Sequence, residues 1–115
     1  MTVTIYHNPR CSKSRQTLNL LKERGLEPEV IEYLKAPPEP SELKRIIAML
    51  GITAHELLRR GEKEYRELGL GPDHDEDELI QAMIRHPRLI ERPIVIAGAQ
   101  ARLGRPPENV MDILP

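Results

Sequence analysis

A chain of 115 residues with a formal net charge of −1 is sized for one domain, since cores of about 100–150 residues are the common case. Near-balanced charge excludes a general field toward nucleic acid or an anionic membrane, so any basic site has to be local. The single cysteine excludes an internal disulfide, and three Tyr with neither Phe nor Trp leave a core of aliphatic side chains.

The elements follow in chain order. Thr2 to Tyr6 alternates β-branched and aromatic residues as a short strand does, and Asn8-Pro9 stops it. Cys11 to Arg24 reads as a helix, with Leu18 and Leu21 on one stripe, Lys22 and Arg24 in its last turn and Gly25 just beyond. Glu29 to Leu34 reads as a second strand, and the resulting βαβ unit predicts parallel strands and a right-handed crossover. Ala36-Pro37-Pro38-Glu39-Pro40 is a stiff connector. Ser41 is then expected to cap a helix carrying Leu43, Ile46, Ile47 and Leu50, with Gly51 after it. Thr53 and Glu56 form a capping-box pattern for a short helix ending near Gly61, and a polar stretch follows. Asp75 is expected to cap a helix through Leu79, Ile80 and Met83 that closes before His86-Pro87. Ile94-Val95-Ile96 reads as a strand, Ala97-Gly98-Ala99-Gln100 as a hairpin turn and Arg102-Leu103 as the return strand. Pro106-Pro107 opens a last helix bearing Val110, Met111, Ile113 and Leu114. The order predicts an α/β chain: a thioredoxin-like four-stranded mixed sheet with a helical insertion between its βαβ and ββα halves, residues 1–115 forming one domain. No apolar run approaches the roughly 20 residues of a bilayer span, and Met1 leads directly into the first strand. The expected location is therefore the cytoplasm, without a membrane partner.

The chemistry gathers in His7-Asn8-Pro9-Arg10-Cys11-Ser12-Lys13-Ser14-Arg15. Between a strand end and a helix start, free backbone N–H groups and the helix dipole favour negative charge, and neighbouring cations add to this. Such settings lower a cysteine pKa from about 8.5 into a range of about 3.5 to 7.5. Ser14 occupies the place where a Cys-x-x-Cys enzyme keeps its resolving thiol, so a redox cycle here has to take its second thiol from another molecule. The acidic run Asp73 to Glu78 has the composition of a first helical turn, and His55, His74 and His86 lack ligand spacing, so no metal is expected.

Several segments together resemble the glutaredoxin-coupled arsenate reductase family, the ArsC-like proteins, and its short bacterial members above all. They are Ile5-Tyr6-His7-Asn8-Pro9 leading to Cys11 and Ser14, then Glu56-Leu57-Leu58-Arg59, Ile90-Glu91-Arg92-Pro93-Ile94-Val95 and Arg102-Leu103-Gly104-Arg105-Pro106. The resemblance implies that Cys11 attacks arsenate, that His7 helps to keep the thiol ionised, and that Arg59, Arg92 and Arg105 hold the oxyanion. Arginine suits that work because its planar fork stays charged and donates bidentate hydrogen bonds. It also implies a cis-proline at Pro93 facing the site. Glutathione would be the co-substrate, glutaredoxin the protein partner, and the working state a monomer with no bound cofactor and no nucleic acid. Two other readings stay open: a monothiol glutathione-dependent reductase of another substrate, and a regulator of the Spx type that binds RNA polymerase. A regulator with a redox switch carries Cys-x-x-Cys, which Ser14 removes here.

Overall fold

The computed structural model describes residues 2–115, which divide into two units: the described residues up to Ala36 together with Arg92–Pro115, and Pro37–Glu91. The first unit holds the whole sheet. Strands β1 (Val3–Tyr6), β2 (Glu29–Ile31), β3 (Ile94–Ala97) and β4 (Gln100–Leu103) stand in the order β2-β1-β3-β4. The β1/β2 pair is parallel, while β1/β3 and β3/β4 are antiparallel. This is the four-stranded mixed sheet of a thioredoxin-like fold, its βαβ half completed by helix α1 (Ser12–Glu23).

Register sets the core of this unit. Ile5 pairs with Val95 and Val3 with Ala97, so four apolar side chains share one sheet face and pack with Leu21 of α1 and with Val110 and Ile113. The second strand is shorter than its composition suggests, ending at Ile31 instead of Leu34. It is an edge strand with only β1 to pair with; the ladder stops where β1 stops, at Tyr6 opposite Ile31. The chain then turns, with the Lys35 and Ala36 amides both donating to the Glu32 carbonyl at 3.0 Å. The hairpin loop is tighter than expected: Ala97 pairs with Gln100 and only Gly98-Ala99 lie between, with Gly98 at φ +63° as a two-residue turn requires. The C-terminal segment Pro107–Ile113 is a 3₁₀ helix and not an α-helix. Its buried residues Pro107, Val110 and Ile113 recur every third position, the period of that helix.

The second unit is the helical insertion, comprising α2 (Pro40–Leu50), α3 (Ala54–Leu57), α4 (Lys63–Glu67), α5 (Glu76–Arg85) and a 3₁₀ turn at Pro87–Leu89. Helix α5 packs against α2 and α3, burying Leu43, Ile46, Ile47, Leu57, Leu79, Ile80 and Met83. Asp75 caps α5, its side chain accepting from the Glu78 amide, and Thr53 and Glu56 form the complete capping box of α3. Ser41 is not a cap: α2 starts earlier, with Glu39 as N-cap and Pro40 at the first helical position, where proline's fixed φ fits. Nor does α3 reach Gly61. Leu58 turns extended and bridges Ile90, with Arg59 N donating to Leu89 O at 2.7 Å and Glu91 N to Leu57 O at 2.9 Å. The polar stretch beyond holds α4, whose residues are all at least partly exposed. Among the described residues, no helix is long and apolar enough to cross a membrane.

Candidate active site

Cys11 is the N-cap of α1, in extended conformation and half-buried. The loop before it is held by its own side chains. The Cys11 amide donates to the Asn8 carbonyl at 3.0 Å, Asn8 Oδ1 accepts from the Arg10 amide at 3.0 Å, and Arg15 Nη1 donates to the Pro9 carbonyl at 2.9 Å. Asn8 thereby makes the turn that its side chain favours, and α1 starts at Ser12 with its first amides open.

Behind this turn lies a buried polar cluster. Ser14 is fully buried; its Oγ lies 2.6 Å from His7 Nδ1 and accepts from the Asn8 amide at 3.0 Å. His7 thus touches Ser14, at the position of a resolving thiol. Burial lowers its pKa, with Arg15 and Lys22 acting in the same direction against an opposing pull from Glu32. A neutral imidazole at neutral pH is the consequence, so His7 is not a cation beside the thiol.

The thiol itself is shifted toward its charged form. Burial pushes its pKa up, but this is outweighed by the Ser14 amide, by hydrogen bonding and charge from Arg92, and by the Lys13 amide, leaving it below the ordinary cysteine value. Arg105 also reaches the sulfur: its Nη1 lies 3.7 Å from Cys11 Sγ and 3.4 Å from the Arg92 carbonyl. Two arginines distant from Cys11 in sequence therefore meet it in space, and both follow from the sheet. Arg92 directly precedes the turn into β3, and Arg105 follows β4, so the hairpin returns the chain to the same end.

The Arg92-Pro93 peptide bond is cis, and so is Arg105-Pro106, which sequence reading did not single out. Gly104 is a second residue whose role the sequence does not reveal. Its amide donates to the Pro93 carbonyl at 2.9 Å, and Thr17 Oγ1 reaches its carbonyl at 3.3 Å. The signal was available in the Gly-Arg-Pro triplet but says nothing about Thr17.

Arg59 belongs to the helical unit. Its Nη1 donates to Glu91 Oε1 at 2.6 Å, both side chains being about three-quarters buried, and its Nε is buried without a hydrogen-bond partner. The two residues lie beside the Leu58–Ile90 bridge, which fixes their backbones as neighbours. The remaining candidates have local work. His55 Nε2 lies 2.8 Å from Tyr65 Oη, His74 Nδ1 lies 3.1 Å from the Gly71 amide, and Asp77 pairs with Lys44 at 3.3 Å. Among the described residues, no three His, Cys, Asp or Glu side chains are grouped to hold a metal ion.

Comparison with known proteins gives the family of the chain. The protein YfgD of Escherichia coli K12, described as uncharacterized, is 54% identical over 97% of this chain and 96% of its own. An arsenate reductase of Rhizobium meliloti strain 1021 is 51% identical over 100% of this chain and 83% of its own. The solved structure of an arsenate reductase from Vibrio cholerae superposes with a TM-score of 0.95 at 51% identity, covering 99% of this chain and 98% of that one. The sequence profile of the ArsC family matches residues 6–113. With full-length relatives at this identity and the profile covering nearly every residue, the chain belongs to the ArsC family.

Proposed function

We propose that this chain reduces arsenate to arsenite through a covalent adduct on Cys11, with glutathione and glutaredoxin supplying the electrons. The observation that carries the reading is a sulfur at an open helix N-terminus with the guanidinium groups of Arg92 and Arg105 directed at it. The names of full-length relatives supply the substrate.

The chemistry balances as follows. The Cys11 thiolate attacks arsenic, an arsenate oxygen leaves as water after taking up protons, and a sulfur–arsenic bond forms at As(V). Glutathione thiolate then attacks the Cys11 sulfur. The sulfur–arsenic bond breaks with its electron pair passing to arsenic, which departs as arsenite, and the two electrons lost by the thiols appear as a Cys11–glutathione disulfide. A glutaredoxin thiolate takes the glutathione and restores Cys11. Arg92 and Arg105 stabilise the charge that shifts onto the arsenate oxygens as sulfur attacks. The resemblance assigns Arg59 an oxyanion role as well; within its own unit, Glu91 orients its fork. His7, neutral and bonded to Ser14, acts on the thiolate indirectly by fixing the residue whose amide faces the sulfur.

The test is a coupled assay with arsenate, glutathione, glutaredoxin, glutathione reductase and NADPH. Arsenate-dependent NADPH oxidation that needs every component, and is indifferent to EDTA, is the expected result. Absence of arsenate-dependent oxidation, or its loss in EDTA, would overturn the reading.

A further inference from the structure

Arg105 is exposed and lies at the end of a short loop, yet its guanidinium stands 3.7 Å from Cys11 Sγ. A long flexible side chain loses substantial rotamer freedom when held in one place, so something must set the backbone from which it reaches. That support lies one residue back. Gly104 is buried with no room for a side chain: a Cβ there would stand 2.5 Å from Thr17 Oγ1, 2.8 Å from Pro93 Cγ and 3.0 Å from Thr17 Cγ2. Its φ is not in the left-handed region, so close approach and not turn geometry is what requires glycine here.

Thr17 supplies the other half of the contact. It is fully buried on α1, its hydroxyl donating to the Lys13 carbonyl at 2.8 Å and reaching the Gly104 carbonyl at 3.3 Å. The same helix carries Cys11 at its start. From the far side, Asn109 Nδ2 donates to the Arg105 carbonyl at 3.0 Å. We infer that Thr17 and Gly104 are positioning residues: their contact fixes the Arg105 backbone against the helix that bears Cys11, and so sets the reach of the guanidinium onto the sulfur. The inference rests on Cys11 as the reacting thiol and is independent of arsenate as its substrate.

The experiment follows alkylation of Cys11 by iodoacetamide against pH in the full chain, a readout that loss of stability alone does not shift. Thr17→Val keeps the shape and removes the hydroxyl, while Gly104→Ala adds the methyl that the site excludes. Each should raise the midpoint by about half a pH unit, or about threefold slower alkylation below it. Arg105→Ala should raise it further, and Thr17→Ser should restore the parent profile. The decisive arm is the double variant. If Thr17 acts through Arg105, Thr17→Val adds nothing in the Arg105→Ala background. Full additivity there, or unchanged midpoints in both Thr17→Val and Gly104→Ala, overturns the inference. Should Thr17→Val fail to fold, Gly104→Ala in the Arg105→Ala background reads the same contact, with the same two outcomes. A parent chain that alkylates as described but does not turn over arsenate leaves this inference standing and removes only the reductase reading.

Discussion

The two units bury different kinds of side chain. In the helical unit the fully buried side chains are apolar, from Leu43 on α2 to Met83 on α5; caps and ion pairs such as Lys44–Asp77 sit at the surface, and the Arg59–Glu91 pair is about three-quarters buried. Among the described residues of the sheet unit, four polar side chains are buried: His7, Asn8, Ser14 and Thr17. All four lie between the end of β1 and the middle of α1, around Cys11. A buried polar group is tolerated only with partners, and Ser14 satisfies two neighbours at once. The contrast teaches where the molecule accepts the cost of desolvated polar groups: beside the thiol, where backbone amides have to be held at fixed positions.

Replacing Cys11 with Ser tests the most demanding side of this contrast. A hydroxyl is nearly isosteric but stays protonated near neutral pH, so arsenate-dependent NADPH oxidation should fall to background while the thermal transition stays near that of the parent. Activity above background would break the comparison at its centre. Arg92→Ala and Arg105→Ala should come next. Each removes a charge-assisted hydrogen bond worth about 1.5–3 kcal/mol, lowering arsenate kcat/KM by roughly 10- to 150-fold. Iodoacetamide alkylation of Cys11 should fall much less, because the open amides of α1 remain.

Ser14→Ala against Thr53→Ala compares the two units directly. The first leaves His7 Nδ1 and the buried Asn8 amide without their shared partner and should cost about 1–3 kcal/mol in urea unfolding. The second removes an exposed cap from α3 and should cost about 1 kcal/mol. Equal losses would erase the distinction. The smallest effect concerns pH. Burial lowers the pKa of His7 in the folded chain, so the unfolded chain binds a proton near pH 6.5 that the folded chain refuses. The stability tied to neutral His7 is present above about pH 6.5 and is lost as pH falls through the folded pKa. His7→Asn should therefore show a smaller drop in urea midpoint between pH 7.5 and 5.5 than the parent; an equal drop would assign the effect to other groups.

Much of this was legible from local signals. The capping box at Thr53 and Glu56, the cap at Asp75, the strand stop at Asn8-Pro9 and the placing of Cys11 at a helix start all depend on residues within four positions of one another. Two of the misreadings share a cause. The end of β2 depends on where β1 ends, and the end of α3 on the bridge from Leu58 to Ile90, so both depend on partners far along the chain. The bond from His7 to Ser14 was hidden for a different reason: residues seven apart across a strand-to-helix turn have no fixed spatial relation until the turn is made.

By itself the sequence determined the thiol, its helix terminus, the lack of an internal resolving cysteine, and the alternation of strand and helix that yields the mixed sheet, because these follow from side-chain type and short-range period. Only the tertiary structure decided which arginines reach the sulfur, and that Gly104 has no room for a methyl group against Thr17. Those facts depend on distances of a few ångströms between residues some ninety positions apart, and only sheet register and helix packing set such distances.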